Sequence, residues 1–138
     1  MVIFPRLLIL LLAVALGSAA LTLASADEGR AEAREQFLAA ESALQRGDLA
    51  TFERLKKALR DYPLLAYLDN AALRRNLGQR SDREIATFLA SHADSPLAYR
   101  LRRSWLHRLA DAQQWRRFLA FYQADMGTTL RCHQLHAL

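Results

Sequence analysis

The residues best suited to chemistry lie near the carboxyl end, where Cys132, His133 and His136 fall within about one helical turn. Thiolate and imidazole groups are ligands that a transition metal accepts, but a structural site needs four of them, and the chain has one cysteine. Adjacent residues on a helix point in different directions, which argues against a catalytic pair of Cys132 and His133. The sequence therefore predicts no metal, no other cofactor and no catalytic residue at this place.

The amino-terminal segment has the pattern of an export signal. Arg6 stands in a short basic region, an apolar run covers residues 7–16, and small residues end at Ala24-Ser25-Ala26. Such an order is typical of a cleavable signal peptide. We expect a signal over residues 1–26, with Asp27 as the first residue of the mature chain.

A permanent membrane anchor is the alternative interpretation of this segment. Gly17 and Ser18, however, interrupt the apolar run and leave a core too short to cross a bilayer comfortably. The sequence therefore favours cleavage, one domain over residues 27–138, and no stable membrane insertion afterwards.

The chain is basic, with 19 Lys and Arg against 14 Asp and Glu and a net charge of +5. An exported protein seldom meets nucleic acid, so we predict an anionic cell-wall polymer or membrane surface as the partner, and no nucleic acid. Most of the basic side chains are expected to be solvated, but some would attract an anionic glycan strand if they lined a concave surface. They cluster on two predicted helices, at Arg54, Lys56, Lys57 and Arg60 and at Arg100, Arg102, Arg103 and Arg108.

Apolar residues at spacings of three and four predict helices along the mature chain, and no segment alternates as a strand. The first helix covers Ala31 to Arg46, Gly47 ends it, and Asp48 caps a second helix that runs to about Asp61. Phe37, Leu38 and Leu44 are predicted to form the buried stripe of the first helix. The two helices make a hairpin.

The later helices are predicted from short capping and turn signals. Pro63 is predicted to start the third helix and Gly78 to end it. The later signals are a Ser81-Asp82-Arg83-Glu84 capping box for the fourth helix, Ser95-Pro96 for the fifth, a break at Asp111-Ala112-Gln113 before the sixth, and Met126-Gly127-Thr128-Thr129 before a seventh from Leu130 to Leu138. Trp105 and Trp115 lie on apolar stripes, which favours core packing over stacking on sugars. Helices in antiparallel succession fit either an α-solenoid or a small bundle.

Three segments together resemble the periplasmic soluble lytic murein transglycosylases. They are Asp61-Tyr62-Pro63-Leu64-Leu65-Ala66-Tyr67-Leu68, the run from Leu109 to Tyr122 with its Leu-Ala, Trp-Arg and Leu-Ala-Phe order, and Cys132 to Ala137. The resemblance covers nearly all of residues 31–138. It implies an all-α fold, an irregular α-solenoid of antiparallel helix hairpins that begins a superhelical, U-shaped or ring domain.

The same resemblance implies a function and a location. The family cleaves the peptidoglycan glycan strand between N-acetylmuramic acid and N-acetylglucosamine, forms a 1,6-anhydro product, and works in the periplasm. Its catalytic glutamate lies in a later lysozyme-like domain, so this chain is expected to be an N-terminal scaffold that is inactive alone. Cys132 is then a candidate half of a structural disulfide whose partner would lie beyond Leu138. A lone exported thiol could equally form an intermolecular bond or be buried.

Glu41 is the glutamate most open to a catalytic interpretation, because Glu41-Ser42-Ala43-Leu44 superficially resembles the start of the family's catalytic glutamate motif. It lies on the first amphipathic helix, whereas a working acid needs a pocket that raises its pKa. We therefore interpret Glu41 as a solvated helix residue and predict no catalytic residue in the chain. The alternative function is a stand-alone exported helical-repeat module that binds proteins.

Overall fold

The computed structural model describes residues 28–138, so the predicted signal over residues 1–26 lies outside the described residues. All regular secondary structure in the described part is helical, which confirms the all-α prediction. None of these helices has the length and apolarity that crossing a membrane requires. The chain divides into two compact units between Tyr62 and Pro63.

Unit 1, in its described part, is two helices joined by a tight turn. Helix α1 is described over residues 28–46 and α2 spans Leu49–Ala58. Gly47 adopts a left-handed φ of 84°, the amide of Gly47 donates to Leu44 O at 3.1 Å, and the amide of Asp48 donates to Ala43 O at 2.9 Å. This pair of bonds is a Schellman motif, which satisfies the last carbonyls of α1 and explains why a glycine is needed there.

The buried face of α1 differs in one position from the predicted stripe. Phe37 and Leu44 are buried as predicted, but Leu38 is 54% exposed, so its placement on the stripe was wrong. Ala40 and Ala43, both fully buried, complete the face instead. Each helical residue turns by about 100°, so Leu38 lies one step off a stripe that follows residues 37, 40 and 44.

Unit 2 contains five α-helices. They are α3 Leu65–Arg75, α4 Asp82–Ser91, α5 Pro96–Asp111, α6 Trp115–Phe121 and α7 Thr128–Ala137, with a short 3-10 helix at Leu77–Gln79. The predicted capping box is present, because Ser81 Oγ accepts from the amide of Glu84 while Glu84 accepts from the amide of Ser81. Pro63 does not open α3 as predicted. It lies in a turn, and Leu64 is the N-cap of α3.

Helix α5 forms the centre of unit 2 and contacts α3, α4, α6 and α7. Leu101, Trp105, Leu106 and Leu109 lie on its buried face and are at most 2% exposed. The ring of Phe121 meets Trp105 edge-on, with centroids 6.1 Å apart. The core assignment of Trp105 is therefore confirmed.

Candidate functional site

The sulfur and imidazole groups near the carboxyl end do not converge. Cys132 is an exposed free thiol on α7, which is inconsistent with a buried small side chain. The ring centroids of His133 and His136 instead lie 6.2 and 5.0 Å from the ring centroid of Trp115, a half-buried residue on α6. Within residues 28–138, no group of three or more His, Cys, Asp or Glu side chains is placed to hold a metal ion.

Glu41 is half-buried on α1. A cleft of about 400 Å³ lies along the same unit, and its polar lining includes Glu32, Gln36 and Asp61 but not Glu41. Gln36 donates to Glu32 at 3.0 Å, so two of those lining groups already satisfy one another. Glu41 therefore does not line this cleft.

The predicted basic face of α5 divides into structural and exposed residues. Arg102 is half-buried and donates to the carbonyl of Phe121 at 3.1 Å, and burial lowers the pKa of its guanidinium. The guanidinium of Arg108 packs over Gly78, where an added Cβ would approach it to 2.8 Å. Arg100 and Arg103 are exposed on the same helix and remain accessible to solvent.

Two further arginines, Arg117 and Arg80, make structural contacts within unit 2. Nε of Arg117 donates to both carboxylate oxygens of Asp82 at 3.0 Å, and its guanidinium lies 5.2 Å from the Trp105 ring centroid. The hydrogen bond to Asp82 raises the pKa of Arg117. Arg80 donates to the carbonyl of Ala72 at 2.8 Å and to Glu84 at 3.1 Å. These guanidinium groups join elements of unit 2 instead of facing a ligand.

A polar cleft of about 500 Å³ lies where the chain passes from α6 to α7. An adjoining recess of about 310 Å³ shares three of its residues and continues along the loop to Thr128. We call this feature the α6–α7 cleft. Its lining is Tyr122, Gln123, Ala124, Asp125, Arg131 and Gln134.

The loop that forms the α6–α7 cleft has an unusual backbone. Asp125 has a φ of 65° and Gly127 a φ of 96°, while Met126 between them is only 3% exposed. A left-handed residue other than glycine costs about 1 kcal/mol or more, and aspartate is among the side chains that tolerate it best. The buried Met126 side chain is an anchor that holds this conformation.

The polar side chains of the α6–α7 cleft have no partner within the described residues. Neither Gln123, Asp125, Arg131 nor Gln134 makes a side-chain hydrogen bond or ion pair to another residue of 28–138. Tyr122 is half-buried, and the fully buried Phe118 stacks on its ring with centroids 5.7 Å apart. The cleft therefore combines an aromatic ring, a carboxylate, a guanidinium and two amides that are free to bind a ligand.

Sequence reasoning missed the α6–α7 cleft, because Met126-Gly127-Thr128-Thr129 was interpreted only as a break between helices. The sequence nevertheless contains an indication of the cleft. Arg131 and Gln134 are three residues apart and share one face of α7, and the loop before them carries Gln123 and Asp125. Their convergence depends on the angle between α6 and α7, which these residue types do not encode.

Comparison with known proteins agrees with the resemblance drawn from the residues. The chain is similar to soluble lytic murein transglycosylases. It is 26% identical over 107 residues to those of Escherichia coli strain K12 and Escherichia coli O157:H7, and 28% identical to that of Salmonella typhimurium strain LT2. The matched region covers 77% of this chain but only 17% of the length of each relative. No family model matches the chain, and no solved structure matches it.

Proposed function

We propose that residues 27–138 are the helical, non-catalytic N-terminal part of an exported peptidoglycan lytic transglycosylase. The similarity over 107 residues to three soluble lytic murein transglycosylases carries this proposal. Under this proposal, the helices are the start of an irregular solenoid that curves into a U-shaped domain. Residues 1–26 direct export to the periplasm, and a later domain cleaves the glycan. The role of this part is to support the enzyme and to hold peptidoglycan.

The environment of Glu84 supports a non-catalytic role for this glutamate. A general acid for glycoside cleavage needs a raised pKa. Glu84 shows the opposite, because hydrogen bonds from the amide and hydroxyl of Ser81 lower its pKa and engage it as a helix cap. Glu41 lies on α1 and does not line the cleft of unit 1.

The charge of the chain supports binding to peptidoglycan. Residues 27–138 have a net charge of +4, because Arg6 is the one charged side chain of residues 1–26. This charge attracts the anionic, peptide-bearing glycan strand, and the attraction weakens as salt screens it. Arg100 and Arg103 are exposed on α5 and are the side chains of that helix best placed to contribute.

Sedimentation with purified murein sacculi tests the proposal. We expect the purified protein to sediment with sacculi at low salt, to be released progressively at high salt, and to liberate no 1,6-anhydro muropeptides. The double change Arg100→Gln with Arg103→Gln should weaken sedimentation more than the control Arg83→Gln with Arg116→Gln, which removes the same charge from other exposed positions. Absence of sedimentation at low salt, or release of anhydro products, would overturn the proposal.

The genomic sequence downstream of Leu138 tests the domain assignment separately. A continuation that encodes a second cysteine and a lysozyme-like domain opening on a Glu-Ser motif would support both the larger enzyme and the disulfide of Cys132. An unrelated downstream sequence would favour the alternative.

That alternative, an exported helical module that binds proteins, is favoured by one observation. Leu135 is 66% exposed on α7, which also carries the exposed Cys132. Exposed apolar side chains of this kind mark protein contacts when they form a patch. A disulfide-linked dimer of the purified protein that Cys132→Ser abolishes would support this function over the first.

A further inference from the structure

We propose that the α6–α7 cleft is a saccharide-binding subsite that takes an N-acetylated pyranose unit of a glycan strand. The identity of the glycan as peptidoglycan rests on the function proposed above. The assignment of a sugar to this cleft rests on the chemistry of its own lining.

The lining groups match the surface of an acetylated pyranose. Asp125 can accept hydrogen bonds from two hydroxyls, while Arg131 donates several in a fixed fork. Gln123 and Gln134 each donate and accept through one amide, which is what the amide of an acetamido substituent requires. Tyr122 adds an aromatic surface of the kind that packs against the C–H groups of a sugar ring.

The charge balance of the cleft also favours a neutral polyol. One carboxylate and one guanidinium line it, and within the described residues they do not pair with each other. A phosphate or a free carboxylate would gain from Arg131 but would be repelled by Asp125. Hydroxyl groups, which both donate and accept, satisfy the two side chains together.

The dimensions and rigidity of the cleft suit a strand held at one unit. Its volume of about 500 Å³ is within the range of roughly 300–1,000 Å³ usual for small-molecule sites. The adjoining recess toward Thr128 lets a linear strand continue out of the cleft. Buried Met126 anchors the loop backbone and buried Phe118 stacks on the Tyr122 ring, which lowers the entropy that these two parts of the cleft lose on binding.

Titration with the soluble β-1,4-linked tetramer of N-acetylglucosamine tests the inference directly. The purified, isotope-labelled protein is followed by NMR through the side-chain amides of Gln123 and Gln134 and the backbone amides of residues 125–127. We expect saturable shifts concentrated at these signals, and none with the glucose tetramer maltotetraose. Shifts concentrated elsewhere, or equal shifts with maltotetraose, would refute an acetamido-sugar subsite.

A charge-neutral pair of variants separates the cleft from general electrostatics. Asp125→Asn with Arg131→Gln leaves the net charge unchanged, and asparagine tolerates the left-handed backbone of residue 125. We expect this double variant to bind the tetramer roughly tenfold or more weakly, because hydrogen bonds to charged groups are lost. The control Asp94→Asn with Arg83→Gln changes the same residue types at exposed positions and should bind normally. Equal loss in both variants would contradict the assignment.

Sacculi and a purified stem peptide complete the test. Sedimentation with sacculi without tetramer shifts at the cleft would overturn this inference and leave the proposed function standing. Tetramer binding at the cleft without sedimentation would support the sugar subsite and overturn its assignment to peptidoglycan. Shifts at the cleft with the stem peptide alone would replace the sugar by a peptide and refute the inference.

Discussion

The hydrogen bonds described in the two units of this chain span different distances along the sequence. In unit 1, the described hydrogen bonds from Gln36 to Glu32 and from the amide of Thr51 to Asp48 join residues within one helical turn. In unit 2, Arg117 reaches Asp82 across 35 residues and Arg102 reaches the carbonyl of Phe121 across 19. Local bonds stabilise a helix wherever it lies, whereas the distant ones also fix how helices pack.

The described apolar cores of the two units differ as well. Unit 2 has a connected core in which the large side chains of α5 meet residues of α4, α6 and α7. The buried face of α1 in unit 1 relies on two alanines between Phe37 and Leu44. The comparison predicts that the small buried face of α1 in unit 1 is sensitive to an added large side chain, and the buried face of α5 in unit 2 to the loss of one.

The largest expected effect is that of Trp105→Ala in unit 2. Trp105 is 2% exposed and supports both Phe121 and Arg117, so its loss should lower the free energy of unfolding by about 3–5 kcal/mol. Urea denaturation followed by circular dichroism measures this change. Trp115→Ala, at a half-buried position, is the matched control and should cost clearly less; equal losses would break the comparison.

An overpacking change should act on unit 1. Ala43 is fully buried, so Ala43→Leu is expected to destabilise the α1–α2 hairpin by about 1–3 kcal/mol. Hydrogen exchange should accelerate in residues 28–62 far more than in residues 63–138. Ala39→Leu, at an exposed position of the same helix, should leave exchange unchanged. Uniform acceleration along the whole chain would show that the units unfold together.

A smaller effect is expected from Arg117→Lys. Lysine keeps the charge but cannot form the fork to both oxygens of Asp82 or the stack over Trp105. The two paired side chains are 37% and 45% exposed, so solvent screening limits the loss to about 0.5–1 kcal/mol. Thermal unfolding measures it, with Arg116→Lys on the exposed side of α6 as the control. A change no larger than that of the control would mean that the Arg117–Asp82 pair contributes nothing measurable.

The smallest effect concerns pH and the cap of α2. The hydrogen bonds from Thr51 lower the pKa of Asp48 below its ordinary value of 3.8 in the folded chain. As pH falls below 3.8, the unfolded form takes up a proton first, so the stabilisation present at higher pH is lost as the folded pKa is passed. Asp48→Asn keeps a good cap without a titrating group and should flatten this acid dependence of hydrogen exchange in residues 49–58. Asp61→Asn, at an exposed position outside the helix, should leave the acid dependence unchanged. If Asp48→Asn also left it unchanged, the Asp48 cap would be excluded as the source of the acid dependence.

Much of the helical order was predictable, because its signals are short. Asp48, the Ser81 to Glu84 box and Ser95 all cap helices as the sequence indicated. The exposure of Leu38 and the turn at Pro63 were not predicted. A difference of one residue changes the face on which a side chain lies, and proline fits both a turn and the first position of a helix.

The candidate site was predictable only in its parts. Tyr122, Asp125 and Arg131 were visible as ordinary loop and helix residues, and nothing in their spacing required them to share a cleft. The residues that did suggest chemistry, His133 and His136, instead pack against Trp115. Residue types suggest which ligands are chemically suitable, but the distances between elements decide which of them meet.

The sequence by itself determined that this protein is helical and where most of its helices are capped, because caps and turns act between residues at most a few positions apart. Only the tertiary structure decided that Arg117 clamps Asp82 and that the α6–α7 cleft brings Tyr122, Asp125 and Arg131 together. These arrangements depend on how helices cross one another, which the packing of the whole core of unit 2 determines and no local pattern specifies.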